Sequence, residues 1–226
     1  MLFAEKEPML NRILKKLSFM KLLVESQYFP PVTLFRMSIQ FSNINIDLYE
    51  SWRKMSFRNR CVVVGSNGPI NLSIPVVEGR EQKKPLKEVM IDNRKPWQLN
   101  HWRTIVSCYN RSPWFSFFEP ELEALFLQPV EGLSDWNRTC FEWVTKKLGV
   151  AIYADYSEYV PGQHGVGEVV DWRNKLTPKT LQNEFPDPVK YHQVFEDRIG
   201  FIPHLSILDL LFCEGKNASR ILSAGV

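Results

Sequence analysis

The run Met20-Lys21-Leu22-Leu23-Val24, followed by Tyr28-Phe29-Pro30-Pro31, reads as a strand, a tight turn and the start of a helix near Val32. Proline has no N–H to give to a β-ladder, so the pair ends the strand, and its fixed φ presets the first helical turn. Strand, turn and helix in that order open many α/β domains. Ile44, Ile46 and Leu48 then alternate with Asn45, Asp47 and Tyr49, the pattern of a half-buried strand. A right-handed crossover through the intervening helix makes these two strands parallel neighbours.

Working outward, Cys61-Val62-Val63-Val64 and Asn71-Leu72-Ser73-Ile74-Pro75-Val76 flank Gly65-Ser66-Asn67-Gly68, and the Asn-Gly pair marks a tight hairpin turn. Val89 to Asp92 reads as a short strand. Pro96 opens a helix with Trp102, Ile105, Val106 and Tyr109 on one stripe and His101 at its margin. Ser112-Pro113 starts another carrying Phe115 and Phe118, which Pro120 restarts through Leu125 and Phe126. Ser134 is the expected N-cap of a helix placing Trp136, Cys140, Trp143, Val144 and Leu148 together and ending at Gly149. Val150 to Val160 reads as a tyrosine-rich strand, Pro161 to Gly167 as a loop holding His164, and Pro178 to Pro188 as extended. Ser206-Ile207-Leu208-Asp209 resembles a capping box before a final apolar helix ended by Gly215. The expected fold is one α/β domain over residues 20–226, a mixed sheet flanked by helices with the hairpin as an extension. Residues 1–19, including a basic amphipathic stretch from Met9 to Leu17, read as an N-terminal extension.

At 226 residues, 44% hydrophobic and 23% charged, the chain can bury one large core. Its net charge of +3 supplies no global field for nucleic acid, so no nucleic-acid partner is expected. Apolar runs fall short of the ~20 residues of a membrane span. Cys61, Cys108, Cys140 and Cys213 are scattered without metal-type spacing, as buried thiols of a cytoplasmic protein would be. Phosphate-loop, dinucleotide and zinc signatures are absent from the sequence, which therefore names no metal and leaves any cofactor unknown.

Charge is concentrated locally instead. Arg53, Lys54, Arg58 and Arg60 place four cations in eight residues directly before Cys61. Read at the two-residue strand period, Arg58 and Arg60 share a face, and their guanidinium groups match phosphate or carboxylate oxygens bidentately. Alternatively, the cluster is a solvated face neutralised by Asp47 and Glu50.

Tyr28-Phe29-Pro30-Pro31, Lys54-x-Ser56-Phe57-Arg58-Asn59-Arg60-Cys61, Leu72-Ser73-Ile74-Pro75, His101-Trp102, Tyr109-Asn110-x-Ser112-Pro113, Tyr191-x-Gln193-x-Phe195 and Gly200-Phe201-x-Pro203-x-Leu205-Ser206-Ile207-Leu208-Asp209-Leu210-Leu211 together make a pattern. Over Met20 to Ala218 it resembles the bacterial WbqC-like family. The resemblance implies a part in O-antigen or other surface-polysaccharide synthesis, with transfer of a glycyl, aminoacyl or acyl group to a sugar as the suggested activity. Many members carry His-Gln-Pro before the Tyr-x-Pro motif. This chain has Val24-Glu25-Ser26, so no role for that histidine carries over.

Acyl transfer needs a base and a positively charged clamp for a leaving phosphate or an oxyanion. The candidates are His101 as base with Asp171 orienting it. Lys54, Arg58 and Arg60 would form the clamp, Asn59 a polar anchor, and Tyr28, Tyr109 and Arg173 further ligand contacts. Each has a plainer reading, His101 as a structural histidine and Asp171 with Arg173 as a local ion pair. The other function class is a non-catalytic module of a biosynthetic complex that binds a sugar nucleotide, a lipid-linked sugar or another anionic ligand; the sequence leaves the oligomeric state open.

Overall fold

The computed structural model describes residues 20–41, 43–79, 82–159 and 168–224. The amphipathic stretch near the N-terminus and the loop with His164 lie outside the described residues.

β1 (Lys21–Glu25) leads through Pro31 into helix α1 (Val32–Ser38), and β2 (Asn43–Asp47) returns beside β1 in parallel, Leu22 opposite Ile44. The hairpin follows as β3 (Arg60–Gly65) and β4 (Gly68–Ser73). Short strands β5 (Ala154–Asp155) and β6 (Val169–Asp171) complete a four-stranded sheet in the order β5-β2-β1-β6, parallel at every pairing. The α/β class with flanking helices and a hairpin is as expected. The hairpin, however, forms its own two-stranded antiparallel sheet instead of lengthening the first one, which leaves that sheet purely parallel.

Burial explains why β1 and β2 are continuous. Leu22, Leu23 and Val24 are buried on both faces, as are Ile44 to Asp47, so the expected half-buried alternation in β2 gives way to the two-sided burial of a covered parallel sheet. Helices α2 (Trp97–Tyr109), α3 (Phe115–Phe126) and α4 (Leu133–Leu148) supply most of the aromatic core. Trp97 and Trp136 meet edge to face at 5.4 Å, and Phe126 packs on Trp136 at the same distance. The short helices α5 (Leu181–Glu184) and α6 (Glu196–Ile199) precede the buried α7 (Ile207–Glu214) and the terminal α8 (Ala218–Ser223), which pack on α1.

Several local expectations are corrected. α4 begins at Leu133 with Gly132 as cap, and Ser134 is inside it and buried, because the Leu133 N–H is tied to the Val89 carbonyl at 2.9 Å. α3 runs through Pro120 unbroken: one ladder bond is lost near its start, and burial of Phe118, Leu122, Leu125 and Phe126 holds the rest. Residues 89–92 form isolated bridges rather than a strand, and among the described residues 150–159 only β5 is strand. The extended Pro178 to Pro188 stretch contains α5. Ser206 does cap α7, its Oγ accepting from the Leu208 N–H, but its own N–H goes to the Val62 carbonyl at 2.7 Å. Asp209, freed from closing a capping box, accepts the Tyr109 hydroxyl at 2.8 Å.

Candidate ligand site

In open parallel sheets, ligands bind outside the carboxyl ends of the strands, where loops leave in different directions. Here β1 ends at Glu25, β2 at Asp47 and β6 at Asp171, so three neighbouring strands end in carboxylates. Arg173 neutralises the last two, and Glu25 accepts from the Asn174 N–H and the Gln27 amide. Arg173 donates to Asp47 at 2.8 Å and to Asp171 at 2.6 Å, clamping β2 to β6 across β1. Arg58, fully buried, pairs with Glu50 and donates to the Asn174 side-chain oxygen at 3.1 Å.

Asn174 completes the rim. Its backbone N–H donates to Glu25 at 2.9 Å and its side-chain amide to Glu50 at 2.6 Å, while its φ of 64° is the left-handed conformation that asparagine tolerates better than most residues. Burial raises the Glu25 pKa above the ordinary carboxylate range, opposed by the Arg58 charge and the Asn174 N–H.

Arg58 and Arg60 do not share a face. Residues 56–59 form a turn and β3 starts only at Arg60, so strand alternation does not apply to the pair. The turn is held by the Tyr28 N–H on the Phe57 carbonyl at 2.9 Å, the Asn137 amide on the Arg58 carbonyl at 2.8 Å and the Asn59 amide on the Ile74 carbonyl at 2.7 Å. Arg58 thereby enters the rim, whereas Arg60 lines a groove of about 410 Å³ on the hairpin side. Lys54, Asn59 and Lys95 line the same groove, Trp52 forms part of its wall, and Arg60 Nε has no hydrogen-bond partner among the described residues. Asp92, the acidic residue among the described lining residues, is held by Arg94 at 2.7 Å, and its carboxyl is lowered to about 2 chiefly by that hydrogen bond.

The remaining candidates lie in the interior. His101 Nδ1 is 3.1 Å from the Tyr28 hydroxyl, and the two rings stack at 5.8 Å. Burial lowers the His101 pKa to about 4, with a contact to the Ser73 backbone opposing the shift. Asp171 is bonded to Arg173 rather than to His101. The Tyr109 hydroxyl links two segments, accepting from the Val64 N–H of β3 at 3.1 Å and donating to Asp209 in α7. The structure therefore divides the candidates among a groove (Lys54, Asn59, Arg60), a rim (Arg58, Asp171, Arg173) and the core (Tyr28, His101, Tyr109). Sequence reasoning missed Lys95, which no local pattern links to Lys54, and Asn174, for which the preceding Asp171-x-Arg173 was the available cue.

His101 sets a pH expectation. A histidine with its folded pKa lowered from 6.5 to about 4 binds fewer protons folded than unfolded, so its contribution is full above 6.5 and is lost as pH falls toward 4. Asp209 acts oppositely: burial pushes its pKa up to about 6, so the fold gains from it as pH falls through that value. Denaturant titrations of wild type and His101→Gln at pH 7 and pH 5 should therefore show the wild type losing ground relative to the variant. An unchanged difference between the two proteins would refute the assignment.

The four-stranded parallel sheet, the flanking helices and the separate hairpin define an α/β protein. More closely, the chain belongs to the WbqC-like protein family, whose sequence pattern matches residues 25–183. It is also similar to the uncharacterized protein Rv1507c of Mycobacterium tuberculosis (strain ATCC 25618 / H37Rv), 26% identical over 227 residues that cover 88% of this chain and 96% of that protein. No solved structure matches the chain. Among the described residues no helix is long and apolar enough to cross a membrane, and no group of His, Cys, Asp and Glu is placed to hold a metal ion.

Proposed function

We propose that this protein binds a sugar-linked anionic ligand, a sugar nucleotide or a phosphorylated sugar, in the groove of Lys54, Arg60 and Lys95, and that it serves bacterial surface-polysaccharide synthesis. The carrying observation is the convergence of Lys54, Arg60 and Lys95 on one groove in which Arg60 Nε has no hydrogen-bond partner among the described residues. Arg60 offers a planar fork suited to phosphate, Lys54 and Lys95 add point charge, and Trp52 adds an aromatic wall. The polysaccharide setting rests on the family resemblance alone.

Transfer of a glycyl, aminoacyl or acyl group to the sugar is the catalytic version of this reading, and it needs a base within reach of the bound ligand. His101 is engaged with Tyr28, which favours the binding version over one with His101 as base. The test is calorimetric titration of wild type, Arg60→Ala and Arg60→Lys with UDP-glucose, glucose 1-phosphate and inorganic phosphate. Arg60→Ala should weaken binding by roughly 1.5–3 kcal/mol, the value of a charge-assisted hydrogen bond, and Arg60→Lys should recover part of it. Wild type indifferent to all three ligands would sink the reading.

A further inference from the structure

The basic groove shares Lys95 with a second cavity. The segment 92–96 is a shared wall: Asp92 and Lys95 line the groove on one side, while Asn93, Lys95 and Pro96 line a second cavity of about 470 Å³ on the other. That second cavity is lined by the start of α2 and the end of α3, with Trp97, Trp102 and Phe126 among its apolar residues and Glu131 as its carboxylate. Two of its leucines are left in water, Leu99 at 44% and Leu127 at 76% exposure. Large apolar side chains beside aromatic lining residues are surface that an apolar ligand would cover. One lysine thus lines both cavities.

Resting on the groove as an anion site, we propose that the ligand is amphiphilic: a phosphate ester whose alkyl or prenyl chain passes Lys95 and lies in the cleft of Trp97, Leu99, Trp102, Phe126 and Leu127. Charge complementarity assigns the two ends. The phosphate faces Arg60, Lys54 and Lys95, and the chain meets the aromatic lining residues while covering the two exposed leucines. A purely polar phosphate uses the first cavity only and gains nothing from the second. A neutral lipid uses the second only and leaves Arg60 Nε without a hydrogen-bond partner among the described residues.

The experiment is a chain-length series. Ethyl, butyl, hexyl and octyl phosphate, each below its micelle concentration, are titrated into the full chain and into Arg60→Ala, Leu99→Gln and Leu127→Gln, the last two changing exposed side chains. Each added methylene should tighten binding to the wild type by about twofold to fourfold, a half to full methylene transfer. The gain from ethyl to octyl phosphate should then be at least ~50-fold. Arg60→Ala should weaken the whole series by a common factor; the leucine variants should leave ethyl phosphate unchanged and flatten the rise with length. Affinity independent of chain length, still lost in Arg60→Ala, overturns this inference and leaves the anion groove standing. No binding by any member overturns this inference, and the titrations with UDP-glucose, glucose 1-phosphate and inorganic phosphate then decide the groove reading separately. A rise with length that Arg60→Ala does not touch also overturns it, because chain and phosphate would then not share one site.

Discussion

Arg58→Ala is expected to lower the free energy of unfolding by about 3–5 kcal/mol, the cost of removing one partner of a buried ion pair. Arg58 is fully buried and its Nη2 serves both Glu50 and Asn174, so the substitution leaves Glu50 without its cation and removes a donor from Asn174. The Arg58 charge also opposes the upward pull of burial on Glu25, so a second carboxylate becomes harder to ionise. Asn174 joins these groups to the end of β1, and the loss reaches the centre of the sheet. In a Glu50→Gln background the same substitution should cost at least ~1 kcal/mol less, since the carboxylate it would strand is gone. Urea denaturation of the four proteins of this cycle gives both numbers. A single-variant loss below about 1 kcal/mol at unchanged denaturant slope would place the pair with solvated surface bridges. Arg58→Ala and Arg60→Ala are therefore expected to separate, the first acting on stability and the second on ligand affinity, although the residues stand two positions apart.

Gly215→Ala is the second large effect, expected to cost roughly 2–5 kcal/mol. Gly215 closes α7 at φ 54° and ψ −122°, a conformation open to glycine and costly, by about 1–2 kcal/mol, for a residue with a side chain. A Cβ there would also lie 2.2 Å to 2.5 Å from three atoms of the Trp114 ring. Trp114 cannot simply move away, because its N–H is bonded to the Phe212 carbonyl at 2.9 Å and its ring packs on Phe117. Overpacking of that kind adds about 1–3 kcal/mol. Gly200→Ala is the internal control: its φ of 75° is also positive, but a Cβ there meets nothing within 4 Å, so only the backbone cost should remain. Thermal melts of both variants, and of Gly215→Ala in a Trp114→Ala background, separate the two causes. Equal losses for Gly215→Ala and Gly200→Ala would rule out the steric one.

The helices were legible where one strong local cause decided them. Pro31 and Pro96 precede α1 and α2 because a fixed φ and a missing N–H suit only the first turn, and Gly149 ends α4 at φ 64° because a left-handed residue is needed there. The hairpin was equally plain, two apolar runs around Gly65 to Gly68, with the positive φ carried by Gly68. Legibility failed where local signals competed. Ser134 is a better cap than Gly132 by propensity, yet the tie from Leu133 to Val89 starts the helix two residues earlier.

The sequence by itself determined that β1, a proline turn and α1 would begin an α/β domain, that four scattered cysteines would be buried, and that a dense run of cations would precede the hairpin. Only the tertiary structure decided what those cations do. Whether residues 56–59 are strand or turn depends on hydrogen bonds from Tyr28 and Asn137, remote in the chain, and that choice sends Arg58 into the rim and Arg60 into the groove. Lys95 reaches the groove for the same reason, since the loop before α2 is fixed by pairing of Ile91 with Val76 and of Asp92 with Pro75. Local pattern fixes backbone conformation over a few residues, because its causes are dihedral and steric. The direction of a long charged side chain is set by partners that only folding brings near.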